Sequence, residues 1–232
     1  MEKQSMNSVQ EKVYQSLRKD IMQLVLKPGT VMSAQDVSIR LKVSRTPVRE
    51  AFIRLSNEGL VDVAAQKSTT VSRIDMKRVE QERFVRETLE VANLKLVMRH
   101  ITPAMIASLR EDIIQQTEAL ARRDYMDFMQ QDNKFHQTFF EISGRTLCGE
   151  IIQEMSGHYD RIRLITTWSS ELPQGAIQQH REMLNFLEAA DLEGATQLLS
   201  RHLHKLLIEE KNLVAQWPEL FADVENLEHS WL

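Results

Sequence analysis

One stretch of the sequence, VSRTPVREAFIRLSNEGLV from Val43 to Val61, constrains the fold more than any other. Apolar residues recur in it at the three- and four-residue spacing of one helix face. They are Val48, Ala51, Phe52 and Leu55. Arg45 and Arg49 are four residues apart and share a different face, whereas Arg54 is interpreted as an ion-pair partner of Glu50. The stretch therefore predicts a helix that buries one side and presents two arginines on another.

Two further helices are predicted before this one. The first has Ser8 and Glu11 at the spacing of a capping box, and it continues to the helix-breaking KPGT at 27–30. Ser33 is the right residue type to cap a short second helix, and Ser44 to cap the third. Only the residues LKVS separate the second helix from the third, so the turn between them is tight.

The residues after the third helix predict a small β-hairpin. Gly59 ends the helix, as glycine commonly does. The β-prone segments 60–64 and 69–72 follow and are separated by polar residues. Three helices with a tight turn between the last two, followed by a hairpin, make a winged helix-turn-helix domain, which we assign to residues 1–74.

In a winged helix-turn-helix, the third helix offers its N-terminal end to the major groove of DNA. Arg45 and Arg49 are suited to guanine edges or phosphates, and Ser44 and Thr46 can donate hydrogen bonds to phosphates. The predicted partner is therefore a double-stranded DNA operator.

The charge distribution is consistent with DNA binding by the first third of the chain. The whole chain has a formal net charge of −4. Residues 1–74 nevertheless hold 12 Lys and Arg against 7 Asp and Glu, whereas residues 75–232 hold 17 against 26. This asymmetry is typical of a nucleic-acid-binding module joined to a domain with another role.

Residues 75–232 carry long amphipathic patterns with little strand signal, and they predict an all-α bundle of six or seven helices. Thr102, Asp124 and Asp191 are predicted helix N-caps. Three of the helices are predicted at about 147–168, 174–190 and 192–215. The fold class is mainly α, with an N-terminal winged helix-turn-helix and a C-terminal all-α antiparallel helical bundle.

Cellular location is predicted from two absences in the sequence. No run of about eighteen apolar residues occurs, and no apolar run follows a basic N-terminus, so neither a membrane span nor a signal peptide is expected. Cys148 is the single cysteine, which excludes an internal disulfide. We expect a cytoplasmic protein that does not contact a membrane.

Several of these motifs resemble a known family. The stretch from Val43 to Val61 is similar to the recognition-helix signature of GntR-type bacterial transcription regulators. The helical remainder resembles the FadR branch of that family, with its FCD ligand-binding domain. The similar segments are VRETLE at 85–90, DNKFH at 132–136, SG at 143–144, QQH ending at His180, and DLEGATQLLSRHL, which carries His202. The resemblance implies a homodimeric regulator, most simply a repressor, whose effector-binding and dimerisation domain is residues 75–232.

The resemblance also implies a divalent metal ion inside the bundle. In many such proteins an Asp, a His four residues later and two further histidines bind the metal. The matching residues are Asp132, His136, His180 and His202. Carboxylate and neutral imidazole ligands suit zinc first, and also nickel, manganese or iron. Four protein ligands would leave a position open for an oxygen of a small molecule.

A small carboxylate or sugar-acid effector is the third implication. Arg86 matches the arginine that meets effector carboxylates in such regulators, and Arg163 could supply a further cation. An ion pair with Glu90 is the alternative role for Arg86.

The family's wing usually has a glycine near its tip, which this chain lacks, so wing contacts with DNA would fall to the loop residues. They are Gln66, Lys67 and Ser68.

Two other functions remain open at this point. One carboxylate and three imidazoles around a metal could activate water in a metal-dependent enzyme, but no residue can be assigned as its general base. Alternatively, a regulator could hold its effector with arginines alone in a metal-free pocket. The sequence thus predicts a regulator and no enzyme.

Overall fold

The structure is a computed structural model, and it describes residues 2–64, 68–169 and 172–223. The N-terminal elements are α1 (Glu2–Met22), β1 (Val31–Met32), α2 (Ala34–Leu41), α3 (Arg45–Asn57), β2 (Val61–Ala64) and β3 (Ser68–Val71). The later helices are α4 (Met76–His100), α5 (Pro103–Ala121), α6 (Tyr125–Ile142), α7 (Thr146–Met155), α8 (Gly157–Ser169), α9 (Leu172–Glu188), α10 (Leu192–Gln216) and a 3-10 helix (Pro218–Leu220). None of the helices in these ranges is long and apolar enough to cross a membrane.

The N-terminal elements form a winged helix-turn-helix, as predicted. α1 and α3 pack against each other around fully buried Leu17, Ile21, Val48 and Leu55. The three strands form an antiparallel sheet in the order β1-β3-β2. The sequence did not predict β1, because its two residues are too short for a periodic pattern and depend on pairing with β3.

The helix N-termini of this unit agree only partly with the predicted caps. Ser33 caps α2, since its Oγ accepts a hydrogen bond from the Asp36 amide at 3.1 Å. Ser44 occupies the N-cap position of α3 but makes no capping hydrogen bond with its side chain. The prediction that Ser8 begins the first helix was wrong, because α1 already starts at Glu2. The preceding residues contain no glycine or proline and so permit a helix.

This difference between the two serines gives a matched pair of substitutions. Ser33→Ala should lower the free energy of unfolding by about 1 kcal/mol, because it removes a capping hydrogen bond. Ser44→Ala should leave it nearly unchanged, because no such bond is lost. Urea denaturation of both variants checks this expectation. Equal destabilisation by the two substitutions would contradict the assigned caps.

Arg54 does not form the predicted ion pair with Glu50. Its Nη1 instead lies 2.6 Å from Glu11 Oε2, and its guanidinium stacks 3.6 Å from the ring centroid of Tyr14. Both partners are on α1: Glu11 is 43 residues before Arg54 in the sequence, and Tyr14 is 54 − 14 = 40 residues before it. Tertiary packing of α1 on α3 therefore outcompetes a helical pair worth only a few tenths of a kcal/mol.

The helical elements from α4 to α10 confirm the all-α prediction, and their predicted caps are present. Thr102 accepts from the Met105 amide at 3.3 Å, Asp124 from the Asp127 amide at 3.0 Å and Asp191 from the Gly194 amide at 2.9 Å. α5 lies at the centre of this packing, against α6 and α9.

One predicted helix, at 147–168, is two helices that break at Ser156. The Ser156 hydroxyl donates to the Ile152 carbonyl at 2.6 Å. The buried carboxylate of Glu82, on α4, then accepts the amides of His158 and Tyr159 at 2.9 and 2.8 Å. This carboxylate caps α8 from a distant part of the chain, and the only local sign of the break is the Ser156-Gly157 pair, which is typical of turns.

The chain divides into two compact units, and the C-terminal segment belongs to the first. Residues up to Val79 and the described residues from Leu213 onward form one unit, and Glu80–Asn212 form the other. Ile74 pairs with the segment around Phe221 through backbone bonds of 2.9 Å to Leu220 and Ala222. The segment was predicted to belong to the helical domain of residues 75–232, because a single bridge between distant residues leaves no pattern in the sequence.

Candidate nucleic-acid interface and metal centre

The N-terminal end of α3 presents the side chains that were predicted to contact DNA. Ser44, Arg45, Thr46 and Arg49 are all exposed, whereas the opposite face of α3 is buried. Among the residues that the structure describes, neither arginine has an acidic partner. Lys67 lies outside the described residues. The exposed tip is thus available to a duplex.

A groove of about 560 Å³ runs along this face of the first unit. Arg45 and Arg49 line one wall, and residues of the wing strands, among them Val63 and Thr69, line the other. The two arginines and the wing therefore border one concave surface, which is how a winged helix engages DNA.

In the second unit, four side chains from three helices meet at one point. Asp132 and His136 project from α6, His180 from α9 and His202 from α10. One potential ligand atom of each lies within 4.8 Å of those of the others. The structure therefore brings together the four residues that the family resemblance matched to a metal site.

The orientation of the three imidazoles is fixed by their Nδ1 atoms. The hydrogen bonds are His136 Nδ1 to Glu90 Oε2 at 2.6 Å, His180 Nδ1 to Gln116 Oε1 at 2.8 Å, and His202 Nδ1 to Gln179 Oε1 at 3.0 Å. A carboxylate or amide oxygen accepts, so each Nδ1 carries a proton, and in a neutral ring Nε2 then keeps its lone pair. Partners of this kind accompany most metal-binding histidines.

The Nε2 atoms and the Asp132 carboxylate face one another. His180 Nε2 lies 3.4 Å from His202 Nε2 and 3.7 Å from Asp132 Oδ1, and His136 Nε2 lies 4.0 Å from Asp132 Oδ2. His136 Nε2 is buried and has no hydrogen-bond partner among the described residues. Ligands about 2 Å from a shared ion are roughly 3–4 Å apart, so this arrangement fits a divalent metal.

The protonation states also suit a metal. Burial lowers the pKa of His180 to about 3 and holds the pKa of His202 well below its ordinary value. Burial alone would raise the pKa of Asp132, but Arg163 and the nearby histidines outweigh it and keep that pKa low. At neutral pH Asp132 therefore offers an ionised carboxylate, and His180 and His202 offer neutral imidazoles, as metal binding requires.

Arg163 contacts protein groups around the cluster. Its Nη2 donates to Asp132 Oδ2, and its Nη1 donates to Asn133 at 2.8 Å and to Asp160 at 2.6 Å. Oδ2 of Asp132 is thereby held by a cation while Oδ1 faces His180. In this arrangement Arg163 orients a candidate metal ligand.

Arg86 lies next to the cluster and forms the ion pair that was the alternative to effector binding. Its Nε donates to Glu90 Oε1 at 2.6 Å, and both side chains are buried. Burial would raise the pKa of Glu90, but His136 and Arg86 hold it below its usual range. Neither Nη of Arg86 has a hydrogen-bond acceptor among the described residues.

Two cavities adjoin these groups, and Arg86 lines both. The larger, of about 350 Å³, is also lined by His136 and Glu90. Its other polar walls include Gln130, Asn133, Lys134, Gln137, Gln153 and Asp160. The smaller, of about 60 Å³, reaches Asp132 and His202. The paired Arg86 thus still borders open space on two sides.

Sequence reasoning missed Gln116 and Gln179, the partners of two histidines. Gln116 is completely buried on α5, where a buried amide among apolar neighbours needs a bonding partner. Its position on the apolar face of the helix was the available signal. Gln179 directly precedes His180 and gave no separate signal.

The fold and the site define a winged-helix DNA-binding protein with a helical domain that encloses a cluster of one Asp and three His. Comparison with known proteins gives the family. Residues 9–71 match the gntR family of bacterial regulatory proteins, and residues 83–205 match the FCD domain.

Curated relatives extend the match over most of the chain. The chain is 31% identical over 198 residues to the HTH-type transcriptional repressor RspR of Escherichia coli K12. The aligned region covers 85% of this chain and 87% of the relative. It is 32% identical over 210 residues to an HTH-type transcriptional regulator in an unstable DNA locus of Streptomyces ambofaciens, with coverages of 90% and 88%.

Solved structures share the fold. Escherichia coli McbR/YncC aligns with a TM-score of 0.71 at 21% identity, over 90% of this chain and 97% of that one. A putative GntR regulator from Rhodococcus sp. RHA1 aligns with a TM-score of 0.72 at 23% identity, over 90% and 99%.

The chain belongs to the GntR family and carries an FCD domain. It is a DNA-binding transcriptional regulator, and the prediction that it is no enzyme is confirmed because its relatives are regulators.

Proposed function

We propose that this regulator is a homodimeric repressor whose operator binding responds to a small carboxylate or sugar acid held at a divalent metal ion. The observation that carries the proposal is the unpartnered, buried Nε2 of His136 inside the cluster with Asp132, His180 and His202. Repression is inferred from the similar protein RspR, which is named a repressor.

The metal would be held by one oxygen and three nitrogens. This donor set suits zinc first, then nickel, manganese or iron. A metal that accepts five or six ligands has room for a further oxygen donor. When bound, the metal supplies a positive charge and this open position for the effector.

The charges around the cluster favour an acidic effector. The carboxylates of Asp132, Glu90 and Asp160 face the guanidiniums of Arg86 and Arg163. A divalent ion would therefore leave one positive charge in a largely buried space, where an unbalanced charge is costly. An anionic ligand neutralises it, and Arg86 has both terminal nitrogens available for a carboxylate.

The larger cavity favours an effector that also carries hydroxyl groups. Side-chain amides of Gln130, Asn133, Gln137 and Gln153 are among its lining groups. Amides both donate and accept hydrogen bonds, as hydroxyl groups require. A volume of about 350 Å³ suits a small organic acid.

DNA would be read by the tip of α3. Arg45 and Arg49 are proposed to contact guanine edges or phosphates, with phosphate contacts from Ser44 and Thr46. Lys67 is the proposed contact from the wing. In a homodimer the two α3 helices would enter successive major grooves of a two-fold related operator.

Effector control would follow from linkage between the two functions. An acid that binds the helical domain better in one arrangement of the DNA-binding domains shifts the protein toward that arrangement. DNA must then change the affinity for the acid by the same factor.

Footprinting on selected DNA, with sugar acids and small carboxylates added in turn, tests the proposal. The metal-loaded protein should protect an operator, and at least one acid should release it. After chelation the same acid should no longer act. An acid that acts equally well after chelation would instead support the metal-free pocket, in which Arg86 alone meets the carboxylate.

A further inference from the structure

Glu90 connects the two halves of the proposed effector site. Its Oε1 accepts from Arg86 Nε and its Oε2 from His136 Nδ1, both at 2.6 Å. Only 4% of its surface is exposed. One buried carboxylate therefore orients the arginine proposed for the effector and a histidine proposed for the metal.

The other two histidines of the cluster lack such a connection. His180 and His202 are held by the neutral amides of Gln116 and Gln179. Neither amide bonds to an arginine among the described residues. Glu90 alone of the three partners carries a charge that two functional side chains share.

We propose that Glu90 is a positioning residue that makes metal and carboxylate binding cooperative, an inference that rests on the proposed function. A metal ion on His136 Nε2 polarises the Nδ1–H bond, and His136 then takes a larger share of the Glu90 charge. Arg86 is less neutralised as a result and binds an anion more tightly. By linkage, the anion strengthens metal binding by the same factor.

The chain provides a matched control on the same helix. Arg83 Nη1 lies 2.5 Å from Glu87 Oε2, with the same four-residue spacing as Arg86 and Glu90. Glu87 makes no hydrogen bond to the four cluster residues. Glu87→Gln therefore removes a helical ion pair of the same spacing, although a more exposed one, and leaves the cluster in place.

Calorimetric titration of the metal-free full chain with zinc is the first measurement. Glu90→Gln should weaken zinc binding by about 10- to 100-fold, the usual effect of losing a partner of a metal-binding histidine. Glu87→Gln should change it by less than about twofold. Circular dichroism checks that both variants are folded.

The second measurement compares zinc affinity in chloride and in acetate at equal ionic strength, after correction for zinc acetate complexes. Acetate should raise the affinity of wild type and Glu87→Gln by about fivefold or more, which is the low end of typical coupling. Its effect on Glu90→Gln should be much smaller, because there acetate gains only from coordination to zinc. In that variant the amide can still accept from His136, but its NH₂ group opposes the N–H of Arg86.

Moving the carboxylate from Glu90 to another histidine partner tests whether Glu90 positions the site or only supports the fold. The double variant Glu90→Gln with Gln179→Glu places a carboxylate on His202 in place of His136. Zinc affinity should recover about tenfold or more over Glu90→Gln, whereas the acetate effect should stay as small as in Glu90→Gln because Arg86 still lacks its partner. Arg86→Gln, which keeps Glu90 on His136, should retain zinc binding and lose most of the acetate effect.

The outcomes distinguish this inference from the proposed function. Zinc binding by Glu90→Gln that equals wild type would overturn the role of Glu90 while the metal site stands. Absence of an acetate effect in wild type would overturn the cooperativity. Failure of wild type to bind zinc, nickel, manganese or iron would overturn the metal site and, with it, this inference.

Discussion

The Arg49→Ala variant should bind operator DNA about 30-fold to 10⁴-fold more weakly than wild type in a gel-retardation titration. A good bidentate contact between arginine and a guanine is worth about 1–3 kcal/mol, and a dimer would lose two of them. Each 1.4 kcal/mol corresponds to a tenfold change in affinity. The exposed position of Arg49, without an acidic partner among the described residues, leaves the guanidinium available for this contact.

The competing role for Arg49 is contact with a phosphate, and two measurements separate the roles. Loss of a base contact relaxes the sequence preference at one position of each half-site. Loss of a phosphate contact weakens binding to all sequences and reduces the salt dependence by about one ion per contact. The same titration of Arg45→Ala would show whether the two arginines differ.

Arg54→Ala is the matched control for Arg49→Ala. Arg54 is on the same helix, but its guanidinium pairs with Glu11 and stacks on Tyr14. Its removal should alter operator affinity by less than about threefold and cost about 1–2 kcal/mol of stability, since both an exposed ion pair and a cation–π contact are lost. Undiminished retardation by the Arg49→Ala protein would remove α3 as the reading helix.

The sequence predicted those parts of the fold that depend on local chemistry. Ser33, Thr102 and Asp124 cap helices in the structure because a cap needs only an amide three residues away. The helix break at Ser156 was missed, although the pair Ser156-Gly157 is typical of turns. It depends on the carboxylate of Glu82, which is 76 residues from His158.

The residues of the candidate site were likewise predictable only where a local spacing identifies them. The sequence placed Asp132 and His136 on one helix face by their spacing, but their convergence with His180 and His202 came only from resemblance to a family. Three helices must pack to bring these side chains together, and no local pattern encodes that packing. The acceptor for His180, Gln116, is 64 residues away and was missed for the same reason.

Replacement of both His180 and His202 by alanine should abolish metal retention. Wild type is expected to purify with about one divalent ion per chain, because four ligands from three helices converge on one position. Loss of a partner that merely orients a histidine costs about 10- to 100-fold in affinity, so loss of two ligands should cost far more. Elemental analysis after dialysis is the direct measurement, and full metal content in the double variant would refute the site.

Thermal unfolding with and without chelator gives an independent test, because a ligand that binds only the native state stabilises it. At a free metal concentration of 100 times Kd the stabilisation is about 2.7 kcal/mol. Chelation should therefore lower the Tm of wild type and leave that of the double variant unchanged. His204→Ala is the control, since His204 is exposed on the same helix as His202 and bonds to the Ser200 carbonyl at 2.9 Å. If this control loses its metal as the double variant does, the loss reflects damage to α10, and the assignment of His202 as a ligand fails.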